Sequence, residues 1–375
     1  AEYMGMFLLL SHYALSILFT NHKRNMKRFF QPIAKENDSK RPAVASAPVE
    51  DNNYGLHMSS SPSTFMTWNS NSLLLRVKND WREFSVFVSS IDPDVIALQE
   101  VRMPCGGSKG ETKRRRDLKD DTSASREEKQ TIMRALSSPP FSKYQVWWSL
   151  ADSKYAGTAL LVKKSFTPTK VSFSLDTKDS KHEKDGRVIL AEFKSFYFLN
   201  TYVPNNGWKE EENQFKRRRK WDKKVSEFLS QISNKPLIWC GDLNCSHEDI
   251  DVSHPEFFSS AKLNGYVPPD AEDCGQPGFT LSERKRFGYI LKERKLVDAY
   301  RHLHKEKDMD AGFSWSGNPI GKYRGRRMRI DYFLVSEELK DKIVSCEMHG
   351  HDIELKGFYG SDHCPVSLKL MPLES

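Results

Sequence analysis

Short apolar runs that resemble buried strands recur along this chain, and they restrict its possible folds more than any other feature. The runs are Val95–Leu98, Thr158–Val162, Val188–Phe193, Phe196–Tyr202, Leu237–Cys240, Ile330–Val335 and Val366–Leu370. Between some of them apolar residues have helical spacing, as at Val225, Phe228, Leu229 and Ile232. Strands that alternate with amphipathic helices predict a layered α/β protein, with a sheet core and helices outside.

Polar tracts predict how the chain is organised around this core. Residues 1–63 are expected to form a disordered leader, because residues 31–63 are rich in Ser, Pro, Ala, Asn and charge and have no hydrophobic periodicity. A second polar tract, at about 106–126, is expected to be a surface insertion. The folded, catalytic domain is therefore predicted to span residues 64–375.

The first 25 residues have two interpretations. The apolar run from Phe7 to Phe19 is too short to span a bilayer, and its basic residues follow it. Residues 1–25 are then either an atypical targeting segment or not native protein, and we expect no membrane association. Further on, the aromatic pair Phe29–Phe30 faintly resembles a sliding-clamp-binding motif, but the glutamine of that motif is missing, which disfavours clamp binding.

Composition excludes some classes of protein and leaves others open. The 58 Lys and Arg against 50 Asp and Glu give a net charge of +8, which favours a polyanionic partner without requiring one. The mean hydropathy of -0.64 argues against a membrane-embedded body. The 6 cysteines include no CxxC pair, so neither a zinc site nor a disulfide framework is indicated.

Acid, amide and imidazole groups stand at the ends of the predicted strands. Any one of them alone is typical of a turn or a helix cap, but together they indicate a catalytic or metal-binding site. Oxygen ligands from Glu100, Asp362 and Asn71 suit a hard ion such as Mg²⁺, and a nearby histidine suggests proton transfer or phosphate contact. The segments are WNSN at 68–71, LQE at 98–100, GDLN at 241–244, RIDY at 329–332 and GSDH at 360–363.

The ordered set of motifs resembles the exonuclease III-like AP endonucleases, and in particular their plant members. In chain order the motifs are TWNSN, LQEVR, YVPNNG, WCGDLNCSHEDIDV, GFTLSER, RIDYFLVS and GSDHCPV, which cover about residues 65–370. Each string alone is weak, and the ordered set is specific. The resemblance implies a four-layer α/β sandwich, two packed sheets flanked by helices, with the active site at one rim.

The resemblance also implies roles for individual residues. The catalytic residues would be Tyr202, Asp242, Asn244, Asp331 and His363, and the metal ligands Asn71, Glu100, Asp242, Asn244, Asp362 and His363. The metal would be Mg²⁺, with Mn²⁺ as a substitute. The choice of general base stays open between Asp242 and His363. Asn69 would hold the network beneath the metal ligands. DNA contacts would come from Asn69, Arg102, Asn205, Trp208, Trp315, Met328 and Arg329.

Basic runs and departures from the family pattern complete the predicted DNA surface. Lys322, Arg324, Arg326 and Arg327 precede Arg329 in a basic loop, whereas the run KRRRK at 216–220 is interpreted as solvated helix surface. Ser72 stands where many members have Gly, and Trp208 where animal members often have Arg. At the expected abasic-sugar pocket we find Ser314, Met328 and Ile330, next to Trp315.

The implied function is metal-dependent DNA repair. The enzyme would cleave duplex DNA at abasic sites, at blocked 3′ ends, or at both, with 3′–5′ exonuclease activity as a further option, and it would act as a monomer. The basic tracts favour the nucleus, with the plastid as the alternative. A phosphatase of the same superfamily that acts on non-DNA phosphate esters remains the second interpretation. A catalytically dead DNA-binding module is disfavoured because Glu100, Asp242, Asn244, Asp331, Asp362 and His363 are all present.

Overall fold

The computed structural model describes residues 61–103, 123–151, 155–176, 185–209, 214–318 and 320–373. The predicted leader to residue 60, the pair Phe29–Phe30, and residues 106–122 of the expected insertion lie outside the described residues. The described residues belong to one compact unit, His57–Ser375. Among them, no helix combines the length and the apolar character needed to cross a bilayer.

Two six-stranded mixed sheets form the centre of the protein. The first has the strand order β13-β14-β1-β2-β4-β3 and the second β5-β6-β7-β8-β12-β9, while β10 and β11 form a small separate ribbon. The strands are β1 Thr64–Asn69, β2 Val95–Gln99, β3 Tyr144–Ser149, β4 Thr158–Lys163, β5 Lys170–Ser172, β6 Val188–Glu192, β7 Tyr197–Tyr202, β8 Leu237–Asp242, β9 Leu296–Asp298, β10 Trp315–Ser316, β11 Arg327–Met328, β12 Asp331–Ser336, β13 Ile343–Met348 and β14 Val366–Leu370.

Helices cover the outer faces of the sheets. Their bounds are α1 Leu73–Asn79, α2 Trp81–Ile91, α3 Ser123–Leu136, α4 Gln214–Gln231, α5 Pro255–Ser259, α6 Leu281–Glu293 and α7 Ala299–Leu303. The helix α3 begins inside the C-terminal end of the tract that the sequence assigned to an insertion. The helix α4 carries three members of the predicted apolar stripe, and the fourth, Ile232, directly follows it. All four are buried against the second sheet.

The alternation of side chains along each strand explains the four layers. In β1, Phe65 packs into the cluster between the two sheets, while its neighbours Met66 and Trp68 pack outward against α1 and α2. In β8, Ile238 faces the inter-sheet core and Trp239 faces α4 and α6. The order helix, sheet, sheet, helix is the predicted sandwich, and the prediction of this fold class is confirmed.

Candidate active site

The ends of four central strands bring the predicted polar residues to one rim of the sandwich. Asn69 and Asp242 end β1 and β8, Glu100 directly follows β2, and Asp331 begins β12. The strand β12 runs antiparallel to β8, and their register places Asp331 opposite Asp242. Because β1 and β2 are parallel, Asn69 and Glu100 emerge at the same edge of the first sheet.

Asn69 connects the two sheets at this rim. Its Nδ2 donates to Asp242 Oδ2 at 2.9 Å and to Glu100 Oε1 at 3.1 Å, and it lies 3.4 Å from His363 Nε2. Its Oδ1 accepts from the Asn71 backbone at 3.0 Å. The side chain is fully buried. We therefore correct the expectation that Asn69 contacts DNA, because it is enclosed by the groups that it holds together.

His363 and Asp331 form a buried pair. The His363 Nδ1 lies 2.8 Å from Asp331 Oδ2, and its Nε2 faces Asp242 Oδ2 at 4.0 Å. Asp331 is held in turn by the Ser314 hydroxyl, which accepts from its backbone N–H at 3.0 Å. Burial opposes protonation of the imidazole, but the nearby Asp331 carboxylate outweighs it and raises the pKa of His363 to about 10.

Asp242, like Asp331, is an almost fully buried carboxylate. Burial raises its pKa to about 7; His363 opposes this shift, and the negative charges of Asp331 and Glu100 add to it. Only glycine fits at position 241, directly before Asp242. Its φ is +126°, and a Cβ added there would lie only 2.0 Å from the Thr201 carbonyl oxygen.

A second set of polar side chains lies nearer the surface. Glu100 is half-buried and accepts from Arg102 Nε at 2.9 Å through Oε2, while Arg102 itself is exposed. Asp362 accepts from Asn71 Nδ2 at 2.8 Å and from Trp315 Nε1 at 3.1 Å. Trp315 thus contacts the Asp362 carboxylate, in addition to lying next to the expected pocket as the sequence predicted.

The turns that carry these groups have left-handed backbone conformations. Asn71, Ser72, Glu100 and Arg102 have φ of 41°, 84°, 47° and 47°. Such strain concentrates where the surrounding structure fixes a side chain for function. At Ser72 the φ of 84° is a conformation in which a side chain is unfavourable and which glycine adopts more readily.

The β7–α4 connection supplies the residues expected to touch the phosphate. Asn205 is exposed, and its Nδ2 donates to Asn244 Oδ1 at 3.1 Å. The Asn244 backbone N–H donates to Asp242 Oδ1 at 2.9 Å. Burial and the charges of Glu100 and Asp242 raise the pKa of Tyr202 well above its ordinary value, so its hydroxyl stays protonated. The half-buried Trp208 lies on the same connection.

The predicted basic loop divides into exposed and buried members. Lys322 and Arg324 are exposed. Arg329 is buried, and its guanidinium lies 2.8 Å from Asp251 and 2.6 Å from Asp298. We therefore correct the expectation that Arg329 contacts DNA, since its charge is already neutralised inside the protein.

The residues of the expected pocket lie mostly below the surface. Met328 and Ile330 belong to a buried cluster with Phe258 and Phe279, against which the half-buried Trp315 packs. Ser314 is fully buried, and its hydroxyl accepts from the backbone of Ile330 at 3.0 Å as well as from Asp331. Ser314 is therefore a support for the start of β12, and it does not form an open pocket wall.

Two arginines at the site were not identified from the sequence. Arg187 lies 4.5 Å above the Tyr202 ring and donates to the Tyr202 carbonyl at 3.1 Å. Its position immediately before a predicted buried strand was the available signal. Arg218, from the run interpreted as solvated, is buried behind Asn244, to whose carbonyl it donates at 2.9 Å. The expectation of a uniformly solvated 216–220 run is therefore wrong for this residue.

Comparison with known proteins agrees with this geometry. The chain is 69% identical to a DNA-(apurinic or apyrimidinic site) endonuclease of Arabidopsis thaliana over 92% of this chain and 96% of that protein. It is 39% identical to a protein of the same description from Plasmodium berghei, over 81% of this chain and 62% of that longer protein. Among solved structures, the AP endonuclease LMAP from Leishmania major is similar with a TM-score of 0.62 and 22% identity, over 82% of this chain and 87% of that one. A profile of the endonuclease/exonuclease/phosphatase family matches residues 66–363, and the chain therefore belongs to that family.

Proposed function

We propose that this protein is a DNA repair nuclease that hydrolyses phosphodiester bonds at abasic sites and at blocked 3′ ends. One observation carries the proposal: side-chain atoms of Glu100, Asp242 and His363 all lie within 3.4 Å of the Asn69 Nδ2 atom. Phosphodiester hydrolysis needs an activated water and neutralisation of charge on the transition state, and this cluster contains groups suited to both. The 69% identity to an endonuclease that acts on apurinic or apyrimidinic sites supports DNA as the substrate.

The donor set fits a divalent cation. Ligand atoms of Asp242, Asp331 and His363 lie within 4.8 Å of one another, Asn69 connects Asp242 to Glu100, and Asn71 donates to Asp362. Among the described residues, the buried Asp331 Oδ1 has no hydrogen-bond partner. Such an excess of oxygen ligands is typical of Mg²⁺ sites, and Mn²⁺ accepts the same ligands.

We assign the metal to the outer part of the site. Glu100 and Asp362 would hold it together with Asn71, because these groups are half-buried and open toward solvent. Asp242, Asn244 and His363 would be additional ligands if a second ion binds. When bound, the metal would supply charge neutralisation at the phosphate and lower the pKa of a coordinated water.

The chain's own residues would perform the remaining steps. Asp242 would position or deprotonate the attacking water, and Asn69 would hold it in place. Tyr202, Asn205 and Asn244 would donate hydrogen bonds to the phosphate and the leaving oxygen. His363, oriented by Asp331, would stabilise the phosphate when protonated or accept a proton when neutral.

Exposed groups around the rim would bind the DNA backbone. Arg102 pairs with Glu100 at the site, Trp208 lies on the connection that carries Asn205, and Lys322 and Arg324 are exposed on the basic loop. This cationic and aromatic rim favours DNA over a small phosphate ester, which is the alternative substrate class for the family. We propose further that the protein acts as a monomer in the nucleus, with the plastid as the alternative; imaging of a full-length fluorescent fusion would distinguish the two.

The proposed function is tested with a duplex oligonucleotide that carries one abasic site. Wild-type protein with Mg²⁺ should cut the damaged strand, and a matched duplex without the lesion should be cut far less. Asp242→Asn should abolish cutting. Asp249→Asn is the control, because Asp249 lies on the same segment but is exposed and pairs with Arg284. Hydrolysis of small phosphate esters without cleavage of damaged DNA would contradict the proposal.

A further inference from the structure

Arg218 is a buried arginine whose donors are directed at the loops of the active site. Its Nη1 donates to the Pro204 carbonyl at 3.1 Å and to the Asn244 carbonyl at 2.9 Å, and its Nη2 donates to the Leu243 carbonyl at 3.1 Å. Only 2% of the residue is exposed, so these bonds form away from water. Arginine suits this task because its planar guanidinium offers five N–H donors in a fixed arrangement.

The three carbonyls belong to two different loops. Pro204 precedes Asn205 on the connection after β7, whereas Leu243 and Asn244 follow Asp242 at the end of β8. The two loops meet where Asn205 Nδ2 donates to Asn244 Oδ1 at 3.1 Å. One side chain therefore connects the backbones of both loops behind the side chains that face the substrate.

Two carboxylates hold Arg218 in position. Asp222 accepts from its Nε at 2.8 Å, and Glu283 Oε1 lies 3.6 Å from its Nη1. The same Glu283 closes the start of α6, because its Oε2 accepts from the Gly278 backbone at 2.8 Å and from the Thr280 hydroxyl at 2.7 Å. The two carboxylates thus compensate for the burial of the Arg218 charge.

This connection gives a physical reason for the GFTLSER segment, residues 278–284. Gly278 lies against the Asn244 carbonyl, which a Cβ would approach to 3.2 Å, and its own carbonyl accepts from the Ser246 backbone at 2.7 Å. The segment therefore supports the Asn244 loop directly and also through Glu283 and Arg218. None of its residues needs to touch the DNA for it to affect the reaction.

We propose that Arg218 is a positioning residue for phosphodiester hydrolysis, which fixes the loops of Asn205 and Asn244 against each other in the geometry that the phosphate requires. This inference rests on the proposed function. Asn244 has a left-handed backbone, with a φ of 47°, so its conformation is costly unless neighbouring bonds maintain it. A displacement of about 1 Å in such a site lowers rates by about 10²-fold.

The test compares two arginines that make similar bonds. Arg301 donates to Asp251 and to the carbonyls of Ile250, His304 and Glu306, none of which belongs to the active-site loops. Arg218→Lys and Arg301→Lys each keep the charge and lose part of the carbonyl bonds. We expect Arg218→Lys to lower the single-turnover rate on abasic DNA about tenfold or more, with unchanged affinity for the DNA, and Arg301→Lys to keep the wild-type rate at a similar loss of thermal stability.

A second arm shows whether the loss arises through the two loops. In a background with Asn205→Ala and Asn244→Ala, Arg218→Lys should lower the remaining rate by less than about twofold, because the side chains that it positions are gone. If Arg218→Lys does not fold, Glu283→Gln should produce a smaller loss in the same direction. A wild-type rate for Arg218→Lys, or an equal loss for Arg301→Lys, overturns the proposal.

Hydrogen exchange separates this inference from the proposed function, since it needs no substrate. Arg218→Lys should increase amide exchange at residues 203, 205 and 206 and at residues 243–246, and Arg301→Lys should leave the exchange of those amides unchanged. Unchanged exchange in Arg218→Lys overturns the positioning role whatever the enzyme cuts. Increased exchange in a protein that cuts no damaged DNA would refute the proposed function and leave the loop contact standing.

Discussion

Replacement of Asp331 by Asn tests whether the His363–Asp331 pair acts as a unit. The two side chains are buried and their polar atoms are 2.8 Å apart, so the substitution removes a charge without removing the shape of the contact. A rise in the pKa of His363 from 6.5 to about 10 corresponds to about 5 kcal/mol of preference for the imidazolium, of which Asp331 supplies the largest favourable share, with Asp242 and Asp362 adding to it.

The expected effect on rate follows from that preference. Without the Asp331 charge, His363 should lose its proton at a lower pH and should no longer be held in one orientation. We expect Asp331→Asn to lower the single-turnover rate by about 10² or more, which is typical for the loss of one preorganised electrostatic group. The double variant Asp331→Asn with His363→Ala should be little slower than His363→Ala alone.

The assay is single-turnover cleavage of a duplex with one abasic site, together with NMR titration of His363 in metal-free protein. His349→Ala is the control, because His349 also makes a 2.8 Å hydrogen bond, to Ser367, but its ring packs on Phe87 and not on the polar groups of the site. Multiplicative losses in the double variant, or an unchanged His363 pKa in Asp331→Asn, would refute the reasoning. Asp331 would then act independently, on the phosphate or on the fold.

Three further predictions concern the metal, the substrate and pH. Activity should disappear in EDTA and return with Mg²⁺, and Glu100→Ala should lower it by about 10² or more with an unchanged circular dichroism spectrum. Blocked 3′ ends should be trimmed faster than internal abasic sites are cut, because Ser314, Met328 and Ile330 are buried and leave little open wall to hold an extruded abasic sugar; faster incision on matched duplexes would count against this reasoning. Burial lowers the pKa of His349 from 6.5 to about 4. The stability that the neutral ring contributes is therefore complete above pH 6.5 and is lost as pH falls through 4. Across that range, the urea midpoint of His349→Gln should fall less than that of the wild type.

Strand-scale features could be predicted from the sequence because their signals are local. A short continuous apolar run bounded by polar residues indicates a strand that is buried on both faces, so Val95–Leu98 and Leu237–Cys240 marked β2 and β8 correctly. Polar residues that interrupt such a run stand at a strand end, which is how Glu100 and Asp242 were found. The ordered motifs then indicated the family, and the comparisons confirm it.

The tertiary structure alone decided which charged and amide groups face the solvent. Arg329 and Arg218 lie in basic runs that look alike in the sequence, and both are buried because acids distant along the chain, such as Asp298 and Glu283, neutralise them. The central position of Asn69 depends on His363, 294 residues away. A local pattern specifies an element and its buried face, but the partner of a polar group is set by how the sheets pack, since a buried charge is stable only where that packing brings a counter-charge to it.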